Sequence, residues 1–189
     1  VIDRIRLATG NAGKAREFER LFGCPVLPIT PWIAPSEDGT TFSANARIKA
    51  LAGAASCPNE WVVADDSGIE VAALNGAPGV LSARFGGDGL DDAGRVDALL
   101  AAVDRNPERS ARFVCALVAI GPGGEEHHAE GFLLGTLASA PRGLNGFGYD
   151  TILVPAGETR TCAELASHEK NAISHRAAAV ALLRAALER

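Results

Sequence analysis

The stretch Arg4-Ile5-Arg6-Leu7-Ala8-Thr9-Gly10-Asn11-Ala12-Gly13-Lys14 decides the fold class of this chain. Ile5 and Leu7 alternate with Arg4 and Arg6, the period of a half-buried strand. Gly10-Asn11-Ala12-Gly13 reads as a turn. From Lys14 onward, Phe18, Leu21 and Phe22 fall on one helical face, and Gly23 closes the helix. A strand, a glycine-bearing turn and a helix therefore open the chain, as in α/β proteins.

Working outward, residues 25–29 read as a second strand and residues 30–39 as a loop. A helix is expected over 41–55, since Pro58 prevents its continuation. Residues 61–64 read as a buried strand that ends at Asp65-Asp66-Ser67-Gly68. Residues 69–74 look extended, and Asn75-Gly76 marks a turn. Residues 91–103 carry a helical pattern. Residues 112–120 and 126–137 form a hairpin through Gly121-Pro122-Gly123-Gly124. A short strand is expected over 150–154, and one helix over 171–187 with Ile173, Val180, Leu183 and Leu187 as its apolar stripe. No repeat, low-complexity tract or linker interrupts the chain, so residues 1–189 read as one domain. Strands and helices mix without strict alternation, which points to an α/β fold on a mixed sheet.

Hydrophobic residues make up 47% of the 189, enough for a sizeable core. No apolar run approaches the roughly 20 residues needed to span a bilayer. The opening Val1-Ile2-Asp3-Arg4 lacks the pattern of a secretion signal, and Val1 in place of Met points to a lost first residue or an offset numbering. Cys24, Cys57, Cys115 and Cys162 are scattered and form no C-x-x-C pair, so reduced thiols in a cytoplasmic protein are expected. A net charge of −5 speaks against non-specific nucleic-acid binding, which rests on a basic field. Only Lys14, Lys49 and Lys170 are lysines among 18 basic residues. A compact, strongly hydrated ammonium suits phosphate, and each of the three falls in a motif.

Four constellations carry chemistry. Thr9-Gly10-Asn11-Ala12-Gly13-Lys14 places backbone N–H groups, a helix start and a lysine together, all of which attract phosphate. It is not a P-loop, whose glycines lie further apart and whose lysine precedes Ser or Thr. Ala64-Asp65-Asp66-Ser67-Gly68 sets two carboxylates on alternate sides of an extended chain, so one can serve a metal or water while the other orients a partner. Gly143-Leu144-Asn145-Gly146-Phe147-Gly148-Tyr149-Asp150 exposes backbone and offers Phe147 and Tyr149 as aromatic faces for a base. Ser167-His168-Glu169-Lys170-Asn171-Ala172-Ile173-Ser174-His175-Arg176 brings adjacent donors, His175 and Arg176, to the last helix. His168-Glu169 is no zinc motif, because the next histidine comes at 175, beyond the i, i+4 spacing that zinc needs. His127-His128 sits in a strand with its rings on opposite faces, a surface pair and not a ligand set.

In this order the motifs closely resemble the inosine triphosphate pyrophosphatase family, the non-canonical purine NTP pyrophosphatases. The likeness rests on Leu7-Ala8-Thr9-Gly10-Asn11-Ala12-Gly13-Lys14 and on Ala64-Asp65-Asp66-Ser67-Gly68-Ile69-Glu70-Val71. It continues through Leu74-Asn75-Gly76-Ala77-Pro78-Gly79-Val80-Leu81-Ser82-Ala83-Arg84-Phe85, Gly146-Phe147-Gly148-Tyr149-Asp150 and Glu169-Lys170-Asn171-Ala172-Ile173-Ser174-His175-Arg176. The resemblance implies an elongated mixed central sheet flanked by helices, two lobes with a substrate cleft between them, and a homodimer. It implies Mg²⁺-dependent hydrolysis of ITP, dITP and XTP to the monophosphate and pyrophosphate, with no nucleic-acid or membrane partner. Thr9, Gly10, Asn11, Ala12, Gly13 and Lys14 would bind the triphosphate, with Lys49 and Lys170 offsetting its charge. Asp66 would be general base and metal ligand, and Ser67 a substrate contact. Phe147, Gly148, Tyr149 and Asp150 would hold the base, and His175 and Arg176 would read its 6-oxo edge.

The family's pair of glutamates before Gly and Thr-Phe becomes Ser36-Glu37-Asp38-Gly39-Thr40-Thr41-Phe42 here, with Ser36 at the first acid. Glu37 is taken as the second metal ligand, with Asp38 as the other choice. The family's Glu before Asn45-Ala46 is Ala44, and Thr151 and His168 replace a usual Pro and Glu. Two alternatives stay open on these residues: a related-fold pyrophosphatase for pyrimidine or modified nucleotides, and a non-catalytic nucleotide-binding module.

Overall fold

The structure is a computed structural model that describes residues 2–10 and 12–188, with Ala12 and Gly13 as backbone alone. Six strands form one mixed sheet in the order β2-β1-β3-β4-β5-β6. These are β1 (Ile5–Leu7), β2 (Val26–Pro28), β3 (Val62–Val71), β4 (Ser110–Ile120), β5 (Glu126–Leu137) and β6 (Leu153–Pro155). β1 runs parallel to β2, with Ile5 opposite Val26, and parallel to β3, with Arg6 opposite Val62. β6 runs antiparallel to β5, with Leu153 opposite Leu137. The helices are α1 (Ala12–Phe22), α2 (Phe42–Ser56), α3 (Asp92–Ala102), α4 (Ser167–Ile173) and α5 (His175–Leu187). The expected α/β class and mixed sheet are present. No helix among the described residues is long and apolar enough to cross a membrane.

The chain divides into two compact units. The first comprises Val1–Asp66, Cys115–Gly131 and Arg176–Arg189; the second comprises Ser67–Val114 and Phe132–His175. The first unit's core joins Ile5 and Leu7 of β1, Phe18 and Phe22 of α1, Leu117 of β4, and Val180 and Leu183 of α5. Thr41 caps α2 by accepting from the Ala44 N–H at 3.1 Å. Gly53 lets α2 press close: a Cβ there would lie 2.8 Å from Val62 Cγ1 and 2.9 Å from Ile29 Cδ1. The second unit's core joins Ile69 and Val71 of β3, Val96 and Leu99 of α3, Phe113, Leu133, Tyr149 and Ile152.

Several elements differ from the sequence reading. β3 does not end before the acids; it continues through Asp65 and Asp66 to Val71, past the last residue paired with β1, Val63, with β4 as its neighbour on the other side. Ala72–Leu74, expected as extended, is a 3₁₀ turn. Gly148–Thr151 is also 3₁₀, so β6 starts later than expected. Ala12 and Gly13 belong to the first turn of α1 and not to the turn before it, a position where the N–H groups lack helical partners in any case. The last helix is two: Ser174, at φ −70° and ψ 150°, breaks it into α4 and α5. Serine suits the position before a helix start. Ile173 thus ends α4 largely exposed and does not share a stripe with Val180 and Leu183.

Candidate active site

The first unit builds a carboxylate–lysine centre on β3. Successive strand residues face opposite ways, so Asp65 and Asp66 enter different surroundings. Asp65 is 2% exposed, and its Oδ2 accepts from Lys14 Nζ at 2.7 Å. Burial works to raise its pKa, but the charges of Lys14 and Arg176 outweigh burial and hold the carboxyl at about 2. Lys14 comes from the first turns of α1, so the helix start expected to meet phosphate is tied to the acid strand by an ion pair.

Asp66 is tuned the other way. Its Oδ1 accepts from Lys49 Nζ at 3.2 Å and its Oδ2 from Asn45 Nδ2 at 3.2 Å. Burial pushes its pKa above the usual carboxylate value despite the nearby Lys49. Lys49 also donates to Glu37 Oε2 at 2.9 Å. Burial lowers the Lys49 pKa, but Asp66, Glu37 and Asp65 more than compensate and raise it. Two carboxylates from different segments thus share one ammonium. Adjacent acids driven in opposite directions are the pattern of a site that keeps one charge fixed and one proton acceptor available.

Lys49 was expected to meet phosphate, and its partners here are Glu37 and Asp66. Of the two acids left open for the second metal ligand, Glu37 reaches this centre. Thr9 and Ser67 are half-buried, and Gly10 has room for a Cβ, whose nearest neighbour would be Trp32 Cδ1 at 3.6 Å. Asn11 lies outside the described residues.

Arg176 is buried in this unit, with its NH1 3.5 Å from Glu17 Oε2. Its charge is one of those that depress Asp65. His127 and His128 diverge as their strand positions require: the His127 ring lies 5.9 Å from Trp61, while His128 bonds Glu126 and Ser43. The four cysteines are free thiols.

In the second unit, the glycine-rich segment ending at Asp150 is organised by that buried carboxylate. Asp150 Oδ2 accepts from the Phe147 N–H at 2.9 Å and from Lys170 Nζ at 2.5 Å. Gly146, at φ +76°, lies so close that a Cβ would fall 2.1 Å from Asp150 Oδ2, which excludes any other residue. Phe147 is 53% exposed, and Lys170 Nζ lies 5.5 Å from its ring centre.

Tyr149 corrects an expectation. It is 6% exposed, so its face is not offered to a base. Its hydroxyl donates to Ser82 O at 2.8 Å, and burial pushes its pKa up to about 12. Ser82 Oγ in turn accepts from the Ile69 N–H at 2.9 Å. Tyr149 therefore pins the loop to the core through the Gly79–Arg84 segment. Asp150, expected to hold the base, is itself buried and holds Lys170 and the Phe147 backbone. A cavity of about 340 Å³ adjoins the loop, lined by Asp92, Val96, Leu144, Phe147, Gly148 and Thr151 among others. His175 is buried, with its ring 5.0 Å from that of Phe113.

The sequence reading gave Asp65 only the part of orienting an unnamed partner and did not name Asn45 or Ser82 as site residues. Asn45 left one trace: it precedes Lys49 by one helical turn, on the same face of α2. Ser82 left none beyond its place in a motif.

An open mixed sheet bearing a tuned carboxylate pair with lysine partners defines an α/β protein with a polar centre on its third strand. A sequence model of the Ham1 family matches residues 5–186. The chain belongs to the Ham1 family. It is 48% identical over 187 residues to a dITP/XTP pyrophosphatase of Streptomyces coelicolor, covering 92% of this chain and 91% of the relative. It is 43% identical over 183 residues to a dITP/XTP pyrophosphatase of Bdellovibrio bacteriovorus, covering 92% of each. Among solved structures, the Staphylococcus aureus Ham1 protein superposes with a TM-score of 0.89 at 39% identity, covering 98% of each chain. A HAM1 protein from Coxiella burnetii does so with a TM-score of 0.89 at 38% identity, covering 100% of this chain and 99% of that one.

Proposed function

We propose that this chain is a nucleoside triphosphate pyrophosphohydrolase. It converts the non-canonical purine nucleotides ITP, dITP and XTP to the monophosphate and pyrophosphate, and so clears deaminated purines from the nucleotide pool. The observation that carries the reading is the arrangement on one strand of Asp65, bonded to Lys14, and Asp66, held by Lys49 and Asn45 with Glu37 on the same ammonium. The substrate class is drawn from relatives named dITP/XTP pyrophosphatases.

Phosphoryl chemistry asks mostly for positioning and charge neutralisation. Asp66 is the group that accepts the proton of the attacking water. A carboxylate with raised proton affinity is a better base, and its two donors keep it aligned. Asp65 stays ionised and anchors Lys14. An ammonium carries three donors, so Lys14 can hold Asp65 and a phosphate oxygen at once. Thr9, the backbone of residues 10–13 and Ser67 contribute further polyphosphate contacts. Phe147 supplies a stacking face for the base and Lys170 a charge beside it, while His175 and Arg176, expected to read the 6-oxo edge, are buried and act from behind, Arg176 through its charge on Asp65. Asp150 and Tyr149 hold the base loop in place.

The residues present fit Mg²⁺. Glu37 and Asp66 are hard oxygen donors already drawn to one cation, the Lys49 ammonium. Among the described residues no group of three His, Cys, Asp or Glu side chains could hold a metal ion. Two carboxylates completed by phosphate and water are the usual surroundings of Mg²⁺ and not those of an all-protein cage. When bound, Mg²⁺ neutralises phosphate charge and makes a bound water more acidic. We take the protein to be a cytoplasmic homodimer, which sedimentation velocity checks for the oligomer.

The test is a substrate panel of ITP, dITP, XTP, GTP and ATP with Mg²⁺, with products separated by chromatography. The expected result is monophosphate and pyrophosphate from the first three, with ATP and GTP slow. Orthophosphate as product, a preference for pyrimidine nucleotides, or binding without turnover would each replace this reading.

A further inference from the structure

The loop before α2 and the first turns of that helix hold a hydrogen-bonded chain leading to Asp66. The Gly39 N–H donates to Asn45 Oδ1 at 2.9 Å, and Asn45 Nδ2 donates to Asp66 Oδ2 at 3.2 Å. These neighbours leave the amide one orientation. A peptide N–H can only donate, so Oδ1 must face Gly39; an ionised carboxylate can only accept, so the NH₂ group must face Asp66. Lys49, one turn further along the same helix, holds the other Asp66 oxygen. Space enforces the arrangement as well. A Cβ on Gly39 would lie 2.6 Å from Asn45 Oδ1 and 2.8 Å from Ala44 Cβ, so only glycine lets the loop approach this closely.

We infer that Asn45, locked from behind by the Gly39 peptide, is a positioning residue that sets the rotation of the Asp66 carboxylate. The inference rests on Asp66 being the base of the proposed reaction. Asn45 is 2% exposed, which leaves it no surface to offer a substrate, so it acts through Asp66. Lys49 alone does not fix the carboxylate plane, because an ammonium is a point charge that tolerates rotation. A locked amide is directional, and it leaves the remaining lone pairs of Asp66 aimed one way.

The informative variant is Asn45→Asp. It is nearly isosteric and still accepts from the Gly39 N–H, but it sets a second carboxyl against Asp66, so the fixed neutral donor is replaced by a pair that shares a proton or repels. A misplacement at the reacting group of about 1 Å can cost about 100-fold. We expect kcat for ITP to fall by about that factor, with KM within about threefold because the nucleotide contacts remain. Gly39→Ala, which pushes on the same amide, is expected to give the same kcat loss with KM retained. The double variant is expected to be no worse than Asn45→Asp alone, since both break one link. A kcat near wild type in Asn45→Asp, a loss confined to KM, or additive losses in the double variant would overturn the inference.

A second measurement does not depend on turnover. The Asn45 carboxamide NMR signals, assigned by their absence in Asn45→Asp, are expected to exchange slowly and to shift in Asp66→Asn. A fast-exchanging amide that ignores Asp66→Asn sinks the link to Asp66 whatever the activity. A protected, Asp66-sensitive amide in a protein without turnover upholds the link and counts against the enzymatic reading alone.

Discussion

Replacing Lys14 by methionine removes a charge while keeping most of the side chain's bulk. The partner left behind is Asp65, 2% exposed, whose Oδ2 sits 2.7 Å from the Lys14 ammonium. The Asp65 carboxyl is held at about 2 against an ordinary value of 3.8. A gap of nearly two pH units corresponds to a preference for the charged form of about 2–3 kcal/mol. Breaking a buried ion pair from one side typically costs about 3–5 kcal/mol, because the survivor is stranded. Lys14 is 22% exposed, so solvent already screens part of the attraction, and the charge of Arg176 remains. We therefore expect Lys14→Met to cost about 2–3 kcal/mol at pH 7. For a domain of this size that lowers Tm by roughly 5–10 °C. Urea unfolding of wild type, Lys14→Met, Asp65→Leu and the double variant completes the measurement. The double variant strands no charge, so a coupling energy of about 2 kcal/mol should appear. If Lys14→Met unfolds within about 0.5 kcal/mol of wild type, or the double variant equals the sum of the singles, the ion pair does not hold the strand as argued.

Four further outcomes follow from the same geometry. The Asp65 pKa is depressed in the folded protein, so its stabilisation is complete above the unfolded value of 3.8 and is lost as pH falls through about 2. Acid unfolding followed by circular dichroism should therefore steepen over that interval, and Asp65→Leu should flatten it. Asp66→Asn should lower kcat by about 10²–10⁴ while ITP still binds by calorimetry; undiminished turnover would remove Asp66 from its role. Phe147→Ala should raise KM for ITP by roughly 5–150-fold, from about 1–3 kcal/mol of lost stacking; an unchanged KM would show that the base rests elsewhere. Tyr149→Phe deletes the buried bond to Ser82 O and should cost about 1 kcal/mol or more in thermal unfolding; an unaltered Tm would mean that the hydroxyl anchors nothing.

Much of this protein was legible in its sequence. Period-two alternation at Ile5 and Leu7 and the helical face of Phe18 and Phe22 are local patterns, and burial of these residues follows from them. Lys14, Lys49, Asp66 and the Gly146-Phe147-Gly148-Tyr149-Asp150 run announced themselves through residue type, spacing and family likeness. The sequence even implied that the neighbouring acids diverge, because extended backbone alternates its side chains.

The surroundings of each acid, and with them its proton affinity, were set by tertiary structure alone. Asp65 is buried beside Lys14 and stays charged, while Asp66 lies between Lys49 and Asn45 and gains proton affinity. These outcomes depend on which elements pack against each face of β3, and two adjacent aspartates are locally identical. The same holds for the aromatic pair of the glycine-rich loop. Phe147 and Tyr149 looked equivalent, yet one is exposed and the other is sealed against Ser82. β3 ran on past its apolar residues and past its pairing with β1, with β4 beside it in the sheet, and the final helix broke at Ser174, whose backbone is extended. Local periodicity specifies which segments form elements and which residues have the chemistry to react. Burial, partner charges and hydrogen-bond geometry arise only when distant segments meet, and those set each group's protonation and direction.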